Sequence, residues 1–196
     1  MFKTTYRLAC ALGLACLSLA LPAQADWALM PSASHVGVTI TELTASGEIA
    51  HRHQLRELSG RVADDGTLRL PLRLNQLDTL ERFETLPPWL AGLADTTLAT
   101  LTTTVDTQRL AALPVGSTLV DTLVFHAKGQ QAPIRLRFIR FNEETIRVTQ
   151  AEPLTLDSQE VRADSAGRSV LALLGYGEIK RDIPVTFEVL LTQNAD

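Results

Sequence analysis

Cysteine is absent from this chain beyond residue 16. Cys10 and Cys16 both lie in an apolar stretch at the N-terminus, so the rest of the chain cannot form a disulfide. Its stability must therefore come from a hydrophobic core, which a chain of about 150 residues or more can bury without cross-links. A cysteine-based zinc site is excluded in the same region.

A basic surface is also lacking. Beyond residue 25 the chain carries 16 basic and 22 acidic side chains, a net charge of −6 with histidine neutral. Nucleic-acid binding needs Lys and Arg side chains that neutralise phosphates, and no basic stripe is present. No basic amphipathic helix is present for an anionic lipid surface either. We therefore expect no nucleic-acid partner.

The N-terminus has the pattern of a secretory signal peptide. Lys3 and Arg7 precede an apolar run over residues 8–21, and Ala23-Gln24-Ala25 is a small-residue cleavage motif. The run is shorter than the ~20 residues that a membrane-spanning helix needs. The sequence therefore predicts a signal peptide over residues 1–25, export to the periplasm, and no transmembrane segment in the mature chain.

Cleavage after residue 25 leaves one predicted domain, residues 26–196. A lipoprotein signal that uses Cys16 is an alternative, although Gly13 stands where such signals usually have a branched aliphatic residue. The sequence leaves the oligomeric state open, including a homodimer.

Strand patterns dominate this domain. Apolar and polar residues alternate with period two, which places the apolar residues on one face of a half-buried strand. The clearest rows are Leu68, Leu70, Leu72 and Leu74; Ile134, Leu136 and Phe138; and Phe187 and Val189. About eight such segments follow at hairpin spacing, with two short helical candidates near residues 89–94 and 169–174. This series predicts an all-β antiparallel barrel or sandwich. The interior of an eight-stranded barrel is either filled by side chains or holds one ligand.

No motif for catalysis is present. The chain has no G-x-S-x-G elbow, no phosphate-binding loop and no dinucleotide fingerprint. His126 could act as a general base, but no serine or carboxylate forms a nucleophile motif with it. The alternative role for His126 is to cap a turn. We therefore predict that the protein is not an enzyme.

His51 and His53 are the candidate metal ligands. On an extended strand both side chains point to the same face. A zinc site needs three or four ligands, however, and no further ligand stands at suitable spacing. We therefore expect no metal, and two imidazoles on a polar strand are the alternative. Trp27 and Trp89 could flank a ligand or anchor the chain by packing.

A series of weak motifs runs in order through nearly all of residues 26–196. The motifs are Trp27 with Ser34; Val36, Val38 and Ile40; Leu58-Ser59-Gly60-Arg61-Val62 with Asp65-Gly66; Leu72, Leu74, Asp78-Thr79 and Arg82; Leu123, Phe125-His126 and Pro133-Ile134; and residues 183–189. In this order they resemble the motifs of the YceI-like family of exported lipid-binding proteins. Ala33 and Ala127 depart from the histidine and glycine usual at those positions.

The resemblance implies a lipocalin-like antiparallel barrel of about eight strands with one or two short helices. It further implies an internal apolar tunnel that carries a lipid or polyisoprenoid chain, such as a quinone side chain, without catalysis or another cofactor. A long hydrocarbon gains about 0.8 kcal/mol per buried methylene, so a dry tunnel needs few polar contacts. The candidate lining residues are Leu68, Leu70, Leu72, Leu74, Ile134, Leu136, Phe138, Phe187 and Val189.

Two alternatives to this interpretation stay open. In the first, the barrel is filled and the protein is a stress-response or protein-interaction module without a small ligand. In the second, the chain is an outer-membrane barrel, which needs an outward apolar band and aromatic girdles. Only eight of the ten aromatic residues follow residue 25, which argues against the second alternative.

Overall fold

Antiparallel strands make up most of the molecule. The structure, a computed structural model, describes residues 26–82 and 84–194, and the predicted signal peptide lies outside them. The strands are β1 (Asp26–Leu29), β2 (His35–Thr44), β3 (Gly47–Leu55), β4 (Thr67–Arg73), β5 (Thr97–Thr104), β6 (Thr118–Ala127), β7 (Gln130–Arg140), β8 (Thr145–Gln150), β9 (Leu154–Asp157), β10 (Glu178–Ile179) and β11 (Asp182–Asn194). The α-helices are α1 (Pro88–Ala94), α2 (Thr107–Ala111), α3 (Ser158–Ala163) and α4 (Ser165–Leu174). Short 3-10 helices span Pro31–Ala33, Leu74–Gln76 and Asp78–Arg82. None of the helices in the described ranges is both long and apolar enough to cross a membrane.

Eight strands follow one another in a single curled sheet, in the order β3-β2-β11-β8-β7-β6-β5-β4. All these pairings are antiparallel, so the predicted all-β antiparallel class is confirmed. β3 and β4 stand at the two ends of this order. Pro71 lies in β4, where an end strand tolerates its missing N–H. Because the described part of β3 has no ladder to β4, the sheet is a half-barrel.

The β6–β7 hairpin defines the two ends of the half-barrel. Its ten residue pairs run from Ala127 opposite Gln130 to Thr118 opposite Ile139. Lys128 and Gly129 form the turn with φ angles of 50° and 79°. Two positive φ values are the mark of a type I′ turn, whose twist matches that of the strands. We call the end of the half-barrel beside this turn the tip end, and the end beside Arg140 the far end.

The long strand β11 lies in the middle of the sheet. One edge pairs with β2 and β1, and the other pairs with β8 and β9. Its 13 residues therefore connect strands from the beginning and the end of the chain.

The main core covers the inner face of the half-barrel. It contains the largest cluster of buried apolar side chains, among them Trp27, Leu70, Phe138 and Ile146. Leu70 retains only 1 % exposure, and full burial of a leucine contributes about 1.5–3 kcal/mol. The main core thus supplies the stability that the absence of disulfides requires.

Helix α2 closes the far end. Asp106 caps it by accepting a hydrogen bond from the Arg109 N–H at 2.9 Å. Leu110 projects from the helix into the main core and is 2 % exposed. The far end of the half-barrel is therefore filled by side chains of the main core and by Leu110 of α2.

Arg140, at the end of β7, holds α2 in place. Its guanidinium is buried and donates to the carbonyl oxygens of Leu110, Ala111 and Leu113 at 3.0, 2.7 and 3.1 Å. It also donates to the carbonyls of Asn142 and Glu143. The Arg140 side chain thus provides hydrogen-bond donors for backbone carbonyl groups at the end of α2 and in the β7–β8 turn.

The turn before β4 requires glycine at position 66. Gly66 has φ = 79°, and a Cβ there would stand 2.5 Å from the carbonyl oxygen of Val105. That oxygen is held in place because the Val105 N–H donates to the Gly66 carbonyl at 2.8 Å. Gly129 has the same φ angle, but a Cβ there would meet open space. Substitution at Gly129 therefore tests backbone strain alone, whereas substitution at Gly66 tests the same strain together with steric overlap.

We expect Gly129→Ala to lower the free energy of unfolding by about 1–2 kcal/mol through the positive φ alone. Gly66→Ala should cost at least about 1 kcal/mol more, because the overlap with Val105 adds to the same strain. Urea denaturation followed by circular dichroism measures both values. Equal losses for the two variants would show that the overlap is relieved by a shift of the turn.

Candidate functional site

The strand pairing places most of the predicted tunnel residues on one face. Side chains of directly opposed residues in an antiparallel sheet project to the same side. Phe138 opposes Val148, which in turn opposes Val189, and Leu70 opposes Leu101 on β5. Eight of the nine predicted residues share the inner face in this way.

Most of these predicted tunnel residues are packed in the hydrophobic core. Leu68, Leu70, Leu136, Phe138 and Val189 are buried in the main core, and Leu72, Ile134 and Phe187 are half-buried against it. Leu74 is the exception, because β4 ends at Arg73 and Leu74 begins a 3-10 helix. It belongs to a separate cluster with Leu77, Leu80 and Leu90. As ligand contacts, all nine residues remain predictions.

An apolar cavity of about 640 Å³ lies at the tip end. It lies between the inner face of the sheet and the helices α3 and α4, and it opens to solvent at a mouth. Its apolar walls include Val36, Val38 and Ile40 of β2, Leu55 of β3, Leu98 and Ala99 of β5, Val161 of α3, and Val170 and Leu171 of α4. None of the nine predicted residues is among the described lining residues. The half-barrel is therefore filled over its middle and far end and hollow at its tip end.

Two other depressions are more open and are lined mainly by polar side chains. One includes Glu48, Arg162 and Lys180. The other includes Asp121 and Arg135. Neither offers the apolar walls of the tip cavity.

Helices α3 and α4 form the cover of the cavity. Asp157 caps α3 through the Gln159 N–H, and Asp164 caps α4 through the Gly167 N–H, each at 2.8 Å. A Cβ at Gly167 would lie 2.2 Å from the carbonyl oxygen of Val161. Glycine at this position thus lets the two helices approach closely. The apolar face of α4 then points into the cavity, and Gly175 in the left-handed conformation ends the helix.

An ion pair ties this cover to the hairpin tip. Lys128 Nζ lies 2.6 Å from Asp164 Oδ1, and both residues line the cavity. The side chains are 44 % and 35 % exposed, which places the pair at the mouth. The Lys128 ammonium, followed by the Gly167 N–H, holds the pKa of Asp164 below its ordinary value of 3.8.

This lowered pKa predicts an acid-sensitive attachment of α4. A carboxyl group whose pKa is lowered by folding stabilises the fold above its unfolded pKa, and that contribution is lost as pH falls through the folded value. We expect wild type to exceed Asp164→Asn in free energy of unfolding above about pH 4, and the difference to shrink below it. Urea denaturation across this pH range tests the expectation. A difference that stays constant with pH would contradict it.

The two candidate metal ligands both contact a tyrosine. His53 is buried, and its Nε2 lies 2.7 Å from Tyr176 Oη while its Nδ1 lies 3.0 Å from Thr79 Oγ1. His51 stacks on the Tyr176 ring, with 4.3 Å between the ring centroids, and its Nε2 lies 3.2 Å from Glu42. This network joins the loop after α4 to β3. Within residues 26–82 and 84–194, no group of three or more His, Cys, Asp or Glu residues is arranged to hold a metal ion.

The remaining candidates lie away from the cavity. His126 is exposed and opposes Thr102 on the outer face of the sheet. Trp27 is fully buried in the main core, and its Nε1 has no hydrogen-bond partner among the described residues. Asp65, in the turn before β4, accepts a hydrogen bond from the Thr67 N–H at 2.8 Å. The side chain of Trp89 lies outside the described part of the chain.

Comparison with solved structures identifies a similar molecule. A polyisoprenoid-binding domain from Saccharophagus degradans, implicated in plant cell wall breakdown, superimposes with a TM-score of 0.66. The match covers 86 % of this chain and 98 % of that domain at 20 % sequence identity. The chain has the fold of that domain. A scan against protein-family models and a search of curated proteins gave no match.

The fold implied by the YceI-like resemblance is therefore confirmed. Within this fold, the cavity walls were not predicted from the sequence. The alternation of Val36, Val38 and Ile40 was a usable signal for one wall, since it marks an inner row like the leucine row. The polar segment that forms β9 and α3 offers no comparable periodicity, so the cover had no signal in the sequence.

Proposed function

We propose that this protein binds a lipid or polyisoprenoid chain in its tip cavity, without catalysing a reaction on it. The observation that carries the proposal is the apolar cavity of about 640 Å³ under α3 and α4. Ligand pockets usually measure about 300–1,000 Å³ and are lined mainly by apolar side chains. The cavity fits that description.

The energetics of burial support a hydrocarbon ligand. Each methylene that leaves water gains about 0.8 kcal/mol, so about ten buried methylenes gain about 8 kcal/mol. Before the costs of ordering the chain, this corresponds to a Kd near about 1 μM. No hydrogen-bond network is needed for such an affinity. An isoprenoid chain such as a quinone side chain has this chemistry.

Two further observations support the finer points of the proposal. The described lining residues include no histidine, serine or tyrosine, which favours binding over turnover. The basic, apolar and small-residue pattern of residues 1–25 favours export, so we place the binding in the periplasm. The solved domain with the same fold is described as polyisoprenoid-binding, which agrees with the ligand class proposed here.

The packed main core favours a second candidate function. If the tip cavity takes no ligand, the filled half-barrel is a scaffold for protein interaction or a stress response. The two candidates differ in one measurable property, the uptake of an apolar chain.

Native mass spectrometry of the full chain with geranylgeraniol tests the proposal. We expect a complex with one probe molecule per chain, and a co-purifying lipid in solvent extracts of natively prepared protein. If solvent extracts contain no lipid and the protein takes up no geranylgeraniol at concentrations well above about 1 μM, the result would favour the second candidate function, a scaffold without a small ligand.

A further inference from the structure

The mouth of the tip cavity carries an excess of negative charge. Three charged residues are present in its described lining, namely Lys128, Glu160 and Asp164. Glu160 and Lys128 are solvent-exposed, and Asp164 is half-buried. Most apolar residues of the lining are more buried than Lys128 and Glu160, whereas Leu156 and Ala163 are exposed. A ligand that inserts its hydrocarbon chain into the cavity thus leaves its polar end beside this charged group.

The Lys128 ammonium at the mouth is already paired with Asp164. Lys128 Nζ lies 2.6 Å from Asp164 Oδ1, a distance typical of a charge-assisted hydrogen bond. Glu160 then remains as an uncompensated negative charge among the three. Arg181 lies within electrostatic reach of Glu160, but it is bound to Asp157 at 2.8 Å and does not line the cavity. The net charge of the three charged lining residues is therefore −1. The guanidinium of Arg168 donates to the carbonyl oxygens of Arg162 and Ala163 but does not line the cavity.

We infer that the tip cavity selects chains with an uncharged polar end, and that Asp164 and Glu160 exclude chains ending in carboxylate or phosphate. The inference rests on the proposed binding function and names the ligand class for it. An anionic end group would have to displace Asp164 from Lys128 or lie beside Glu160, and both cost electrostatic free energy. A hydroxyl or carbonyl end group has no such cost. Gln54 and Gln130, which also line the cavity, offer neutral hydrogen-bonding groups.

Asp164 is the more informative of the two residues to change. In Asp164→Asn the side-chain oxygen can still accept from the Gly167 N–H, so the cap of α4 is kept. The substitution removes one negative charge and frees Lys128 to pair with an anionic end group. Glu160→Gln provides a second variant on the exposed surface of α3, where it leaves the cap untouched. The matched control is Glu152→Gln, which makes the same change in net charge at an ion pair with Arg135 on the outer surface.

The experiment compares geranylgeraniol with geranylgeranoic acid, which share one chain and differ at the end group. Binding to the full chain is measured by titration at neutral pH and low ionic strength. We expect wild type to bind the alcohol about tenfold more tightly than the acid. Asp164→Asn should reduce this ratio to near one, Glu160→Gln should reduce it in part, and Glu152→Gln should leave it unchanged. Added salt should lower the wild-type ratio.

The outcomes separate this inference from the function on which it rests. Equal affinity of wild type for alcohol and acid would overturn the selectivity and leave the binding function standing. An unchanged ratio in both Asp164→Asn and Glu160→Gln would overturn the role of these two residues. Uptake of neither compound would overturn the binding function and the selectivity together.

Discussion

Replacing Ala99 by phenylalanine should weaken the binding of geranylgeraniol by about tenfold or more. Ala99 lies on β5 and lines the tip cavity, opposite Leu72 of β4. A benzyl group there occupies volume that the ligand needs, and losing the burial of about two methylenes costs about 1.6 kcal/mol. That loss corresponds to more than tenfold in Kd. The free energy of unfolding should change little, because the new ring enters existing space.

The matched control is Thr100→Phe on the same strand. Thr100 is exposed and points to the opposite face of β5, so its substitution should leave binding within about twofold of wild type. Leu70→Phe is a second comparison, since it inserts the same ring into the packed main core. There we expect a loss of about 1–3 kcal/mol in the free energy of unfolding. Full binding by Ala99→Phe would place the ligand elsewhere on the molecule.

Replacing Arg140 by methionine should lower the free energy of unfolding by about 3 kcal/mol. The buried guanidinium donates to five backbone carbonyl oxygens, three of them at the end of α2. Methionine fills similar space but donates no hydrogen bond, so buried carbonyl groups lose a charged donor at about 1.5–3 kcal/mol for each strong contact. Contacts that share one side chain are not additive, so we expect a total near that of one or two strong contacts rather than the sum of all five.

Two variants make this result interpretable. Arg140→Lys keeps the charge but has only three donors, so it should recover part of the loss. Arg137→Met makes the same chemical change on β7 at an exposed outer position and should stay within about 0.5 kcal/mol of wild type. Urea denaturation measures all three. A loss in Arg137→Met as large as that in Arg140→Met would point to strand propensity as the cause.

The strands of this fold could be predicted from the sequence because their signals are local. Alternation over residues 68–72 and 134–138 depends only on one buried face, and the structure has β4 and β7 there. The helical candidate near residues 169–174 likewise lies within α4. The short strands β1, β9 and β10 carry too few residues for a period to be seen, and they are defined by pairing with distant segments.

The site could be predicted only in part. Whether a cavity remains at the inner face of the sheet depends on which other segments pack against that face. The inner rows were identified correctly as one face, but the sequence does not say which part of that face is filled. Leu110 from α2 fills the far end, and the Gly167 contact brings α3 and α4 over the tip end. Both result from tertiary packing between segments with weak local patterns. Leu74 was predicted to continue the leucine row of β4 because the alternation over residues 68–74 is unbroken. The sequence pattern therefore does not indicate that β4 ends at Arg73.

The central position of β11 has a consequence for how the protein is made. The last strand of the chain pairs with β1 and β2 at its beginning, so Asp26 lies opposite Asn194. Contacts across so many residues fold slowly, because the long loop must close before they contribute. Until β11 has paired, both β2 and β8 present an unpaired edge that other chains can extend. A chain truncated before β11 should therefore aggregate, because the sheet forms only once β11 is available to pair.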